Sequence, residues 1–222
     1  MKFTEFSIAD NLVFEKYASK RINIAGEPVR FQIPRMYMPF GISGFVPSSG
    51  PTKWNIDFSM KGYDEDGNEV KNFYEFLTAI EHKVIEHIQV NSADIFGSRQ
   101  TFADLQLKFN SNIKTTPGRE PKFRVKVDTA YGKENEIKPC IFNATNVQVL
   151  DRAVSGLFSR HSGTAIVELA SVYFMNGKFG LTWRLHQLKV FEPQHLKGFQ
   201  IEPEETTSKE VGPRPKGFLF QV

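Results

Sequence analysis

Six short stretches of this 222-residue chain set a cation beside an aromatic ring. Arg30 precedes Phe31, Arg35 lies two before Tyr37, Lys53 precedes Trp54, and Lys108 precedes Phe109. Phe123 is followed by Arg124 and Lys126, and Trp183 by Arg184. This pairing suits one kind of chemistry. Guanidinium and ammonium groups track phosphates, while aromatic faces stack unpaired bases whatever their identity, at roughly 1–3 kcal/mol per base. A strand with an apolar inner side and a solvated outer side shows the same pattern for no functional reason. Eleven of these residues, all but Phe31 and Trp183, are nevertheless the expected nucleic-acid contacts, because no other chemistry has its parts.

A metal pair on a helix needs two ligands four residues apart, but His82 and His87 are five apart. Glu86 is four from His82, and a solvated helix face explains both. His161, His186 and His195 are scattered and have no cysteine beside them, so no structural zinc is expected. "GPTKWN" and "SGTAIVE" lack the length and the Lys-Ser/Thr pair of a phosphate-binding loop, and no Gly-x-Ser-x-Gly elbow occurs. Asp64 and Asp66 precede Gly67 without the remaining ligands of a calcium loop. The expectation is a binding protein that is not an enzyme and uses no cofactor.

The net charge of +3, from 28 basic and 25 acidic residues, is too mild to name a partner by itself. With 40% hydrophobic and 24% charged residues the chain should fold. Phe occurs 21 times, chiefly as core filler. Cys140 is alone and follows a proline in a β region, where a buried small hydrophobe is expected. With no disulfide possible, no apolar core of signal-peptide length at the start and no run of about 18 apolar residues, a soluble intracellular protein is expected.

The elements that must position these residues are mostly strands. "VRFQI" is a short strand, and "PRMYMPFGISGFVPSSGPTK" has no period and reads as a long ordered loop or irregular edge. "KWNIDFSMKGY" alternates cleanly, with Trp54, Ile56, Phe58 and Met60 on one face. "VKNFYEFLTAIEHKVIEHIQVN" predicts a helix at about 71–90, capped by Asn72 with Glu75 three residues on and closed by Asn91. "DLQLKFN", "KFRVKVD" and "NATNVQVLD" read as strands, the last with Val147 and Val149 inward. Two long strands flank Asn176-Gly177, the strongest short hairpin signal. In the second of them the apolar parity changes between Leu185 and Leu188, which predicts a β-bulge. Trp183 should fill the interior with Arg184 on the opposite face.

This order predicts a mainly β domain over 1–192: an OB-like antiparallel Greek-key barrel with one inserted α-helix. A sandwich or jelly roll is the main rival. Residues 193–222 read as a flexible acidic and aromatic tail, with Glu202, Glu204, Glu205 and Glu210 before Phe218, Leu219 and Phe220.

Three segments, "MYMPFGISGF", "FYEFLTAIEHKVIEHIQVNSADIFG" and "GKFGLTWRLHQLKVF", resemble the single-stranded DNA-binding proteins of large nucleo-cytoplasmic DNA viruses, which are similar in turn to phage-type OB-fold replication proteins. The resemblance spans roughly residues 30–192. It implies sequence-nonspecific binding of single-stranded DNA in viral replication, recombination and repair, in host cytoplasm or nucleus. It also implies a tail that docks polymerase or helicase, with Glu204, Glu205, Phe218 and Phe220 as contacts. The chain departs from that pattern by setting Arg214 and Lys216 inside the tail and ending in Val222. A homodimer through strand addition by "GFLFQV", an RNA-binding OB protein, and a capsid-associated jelly roll are the other readings.

Overall fold

The computed structural model describes residues 1–133, 135–149 and 154–193. A single 3-10 turn (Phe3–Glu5) and a short α1 (Ile8–Asn11) lead into β1 (Arg21–Asn23), β2 (Val29–Gln32), β3 (Met36–Met38), β4 (Ile42–Phe45) and β5 (Lys53–Ser59). Three helices follow: α2 (Glu69–Val90), α3 (Ser92–Phe96) and α4 (Phe102–Lys108). Then come β6 (Phe109–Asn110), β7 (Ile113–Thr116), β8 (Arg119–Val127), β9 (Cys140–Phe142), β10 (Gln148–Val149), β11 (His161–Met175) and β12 (Lys178–Phe191).

The protein is mainly β and its centre is a closed five-stranded barrel, an OB-like plan. The ring runs β3, β5, β8, β12, β11 and back to β3. One seam departs from an all-antiparallel reading: β12 meets β8, at Arg184 opposite Lys126, in parallel. It also pairs β6 and β9 in parallel.

The two longest strands form because their alternation agrees with their turn. Asn176 and Gly177 both take positive φ, 53° and 72°, as a two-residue type I′ hairpin demands. From there Phe179, Leu181, Trp183 and Leu185 point inward. The bulge falls where the parity change predicts it: Ile166 faces Gln187 and Val167 faces Leu185, leaving His186 extra. Beyond it Leu188 and Val190 face the core. The outward row of β12 is therefore Thr182, Arg184, Gln187, Lys189 and Phe191.

Helix α2 closes the barrel with Phe73, Leu77, Ile80, Val84, Ile85 and Ile88. Phe73 makes an edge contact with Phe123, which makes another with Trp183, at 5.5 Å each. The helix begins before Asn72, because Asn68 supplies the cap: its side chain accepts from the Val70 N–H at 2.9 Å. Asn91 stands at the other end.

Several expectations fail for local reasons. "DLQLKFN" is a strand only in its last two residues, β6. Thr101 and Asp104 form a capping box that starts α4, and helical spacing then buries Leu105 and leaves Leu107 exposed. The expected loop after residue 34 contains β3 and β4, too short to show a period. Val147 is exposed and Val149 only half-buried. Cys140 is exposed, because it opens β9 on the outward side and Ile141 takes the core position. The expected tail, with Glu204, Glu205, Phe218 and Phe220, lies outside the described residues.

Candidate nucleic-acid interface

On the outside of the barrel, β5 and β8 run antiparallel, so the residues between core positions stand in cross-strand pairs: Asn55 with Lys126, Asp57 with Arg124, Ser59 with Lys122. Strand β7 adds Lys114 opposite Lys122. The loop after β8 carries Tyr131 and Lys133. These elements enclose an open groove of about 1060 Å³. Lys53, Lys114, Arg124, Lys126 and Lys133 line it together with Asp128, the one carboxylate in the lining among the described residues, while Asp57 and Glu136 pair with Arg124 and Lys133 from outside it. Asn55, Asn110, Ser111, Asn112 and Thr182 supply neutral polar groups.

Two tyrosines border the groove. Tyr131 is fully exposed at the loop tip, the most solvent-accessible large hydrophobic side chain among the described residues. Tyr173 lies across Gly180, where a Cβ would come within 2.8 Å of its hydroxyl. Glycine is what lets that ring lie against the strand. An exposed ring at the edge of a cationic groove is the arrangement on which an unpaired base stacks.

The cations are not all free. Arg124 donates from Nε and Nη2 to both Asp57 carboxylate oxygens, at 2.7 and 2.8 Å. Asp57 is only 3% exposed although its side points outward, because the guanidinium covers it. This hydrogen-bonded partner holds the Arg124 pKa above its ordinary value. Lys126 pairs with Asp128 at 2.6 Å, and Arg184 Nε approaches the same carboxylate at 3.4 Å. Lys114 donates to the Ser111 carbonyl, and burial, together with the Arg124 charge, pushes its pKa down. A phosphate seated between Lys114 and Arg124 would relieve that crowding.

Behind the groove floor, the half-buried Glu81 accepts from Ser111 Oγ at 2.7 Å. Burial raises its pKa above 4.5 against the opposing help of Ser111, the Asn112 backbone and Lys114. A carboxyl with a raised folded-state pKa binds its proton more readily folded than unfolded, so its contribution to stability falls as pH rises above about 4.5. Glu81→Gln should therefore melt at higher temperature than the wild type at neutral pH, with the difference shrinking toward pH 4. Melting curves across that range check this, and a variant less stable at pH 7 than at pH 4, relative to wild type, would contradict it.

The structure gathers four of the eleven expected contacts, Lys53, Trp54, Arg124 and Lys126, in this groove. Trp54 lines it from a buried position and offers no free face. Arg30 and Arg184 border an adjoining cleft of about 320 Å³, where Arg30 pairs with Glu168 at 2.5 Å. Arg35 and Tyr37 lie toward the opposite end of β11, where Tyr37 pairs with Ser162. Three expected contacts are misplaced. Phe123 is buried in the core. Phe109 packs on Phe179 at 5.3 Å. Lys108, carried round by α4, sits over the Phe96 ring at 5.0 Å and donates to Gln100.

Sequence reasoning missed Lys114, Lys133, Tyr131 and Tyr173. The stretch "TAYGKEN" did carry a signal, an aromatic and a lysine around a glycine turn.

No family model matches the chain, and no curated protein matches it. Among solved structures it is similar to gp2.5, a single-stranded DNA-binding protein encoded by bacteriophage T7, at 10% identity and TM-score 0.48, over 78% of this chain and 92% of that one. It is also similar to the single-stranded DNA-binding protein of bacteriophage Enc34 in complex with single-stranded DNA, at 9% identity and TM-score 0.39, over 85% and 99%. Likenesses this distant say nothing of what the groove holds.

Proposed function

We propose that the protein binds single-stranded DNA without base selectivity and without catalysis. The observation that carries this is the groove on β5, β7 and β8, where five cations line an open channel bordered by a fully exposed tyrosine. Phosphates meet the cations, and unpaired bases meet Tyr131 and Tyr173. Duplex DNA keeps its base faces stacked and cannot use the rings. No recognition helix is needed for this mode of binding.

On the strength of the sequence resemblance, the reading extends to viral DNA replication, recombination and repair, in host cytoplasm or nucleus. In it the acidic and aromatic tail docks a polymerase or helicase or joins two copies of the chain.

Fluorescence anisotropy with labelled oligo-dT tests the binding. The protein should bind a strand of roughly 4–16 nucleotides, with unlabelled duplex of equal length competing at least tenfold less well. Equal competition by duplex overturns the reading, and stronger competition by oligo-rU than by oligo-dT turns it toward RNA.

A further inference from the structure

The outward row of β12 continues past the groove. Beyond Arg184 it runs through Gln187 and Lys189 to Phe191, and at that far end it borders a second cavity of about 500 Å³. Phe142, Asn146, Lys189 and Phe191 are on its wall. Phe142 stands beside Lys189 in the parallel register of β9 with β12.

The chemistry of this wall is unusual for an outer barrel surface. Both rings are half-buried on the outward side, so neither fills the core. Arg35, which is not on the wall itself, has its guanidinium carbon 3.9 Å from the Phe191 ring centroid. Its Nε is pinned by donating to Ser162 Oγ at 2.8 Å. The Lys189 ammonium is 5.5 Å from the same ring and donates to Asn146 Oδ1 at 2.6 Å. The half-buried Phe142 and Phe191 rings on the wall offer aromatic surface on which a base can stack, Arg35 backs the Phe191 ring, and the Lys189 ammonium on the same wall can meet the phosphate that comes with the base.

We propose that this cavity is a second base-stacking subsite for the same single strand, reached after the strand leaves the groove and follows β12. The proposal rests on the single-strand reading of the groove. From Thr182 to Phe191 the strand covers roughly 25–30 Å at about 3.3 Å per residue, allowing for the bulge. A short oligonucleotide seated in the groove cannot span that distance and a long one can.

The test compares oligo-dT of about four and about sixteen nucleotides at low salt, the two ends of the range for one OB fold. Phe191→Ala should weaken the long oligonucleotide by about 5- to 150-fold, one stacked base, and leave the short one unchanged. Arg35→Gln, at an exposed position that the fold does not need, should act in the same direction. Variants that leave the long oligonucleotide's affinity unaltered, or weaken both lengths equally, overturn the subsite while the groove stands. Absence of wild-type binding at either length overturns the groove reading and the subsite with it.

Discussion

Arg124→Ala should destabilise the fold by about 3 kcal/mol in addition to weakening DNA binding. The reason is Asp57, whose carboxylate is 3% exposed and takes both of its charge-assisted hydrogen bonds from Arg124. Removing one partner of a buried pair strands the other charge, at about 3–5 kcal/mol, and the half-exposed guanidinium puts this pair at the low end. For a domain of this size the melting temperature should fall by about 6–12 °C. A second substitution separates the two roles. Asp57→Asn on the Arg124→Ala background removes the stranded charge and should recover most of the stability without recovering DNA affinity. An unchanged melting temperature for Arg124→Ala alone would show that Asp57 is solvated after all.

Tyr131→Ala should affect binding alone, lowering affinity for oligo-dT by about 5- to 150-fold with no change in melting temperature. The ring is fully exposed, so the fold loses no packing when it goes. Tyr131→Phe keeps the stacking face and should bind like the wild type. If alanine at 131 binds as tightly as tyrosine, the loop tip is not a base platform. If phenylalanine binds as weakly as alanine, the hydroxyl and not the ring makes the contact.

Much of the barrel was legible because period and turn chemistry agreed. The hairpin at Asn176-Gly177, the parity break before Leu188 and the inward Trp183 follow from side-chain alternation alone. The helix was legible for the same reason, and its start was misplaced because two asparagines stood at suitable offsets and only the backbone chooses between them. "DLQLKFN" misled because five residues can satisfy a strand period and a helix period together; the capping box of Thr101 with Asp104 decides the matter, and Thr101 lies outside the alternating run.

The groove was half legible. Lys53, Arg124 and Lys126 follow from parity on strands that pair with one another. Pairing a cation with its neighbouring aromatic was the weak step. On a strand, adjacent residues point to opposite faces, so Phe123 must be buried if Arg124 is outward. The aromatics that border the groove therefore come from elsewhere: a loop tip for Tyr131 and a glycine-backed strand position for Tyr173. Asp57 was invisible as a structural partner, because only the register of β5 against β8 sets it opposite Arg124.

If DNA phosphates lie in this groove, the salt dependence of oligo-dT binding shows it most directly. Log affinity should fall linearly with log salt, with a slope near −0.7 for each phosphate neutralised. In a Lys53→Gln, Lys126→Gln, Lys133→Gln variant three groove cations are gone, and the slope should become shallower by about 2. A slope and an affinity both unchanged in that variant would contradict the account.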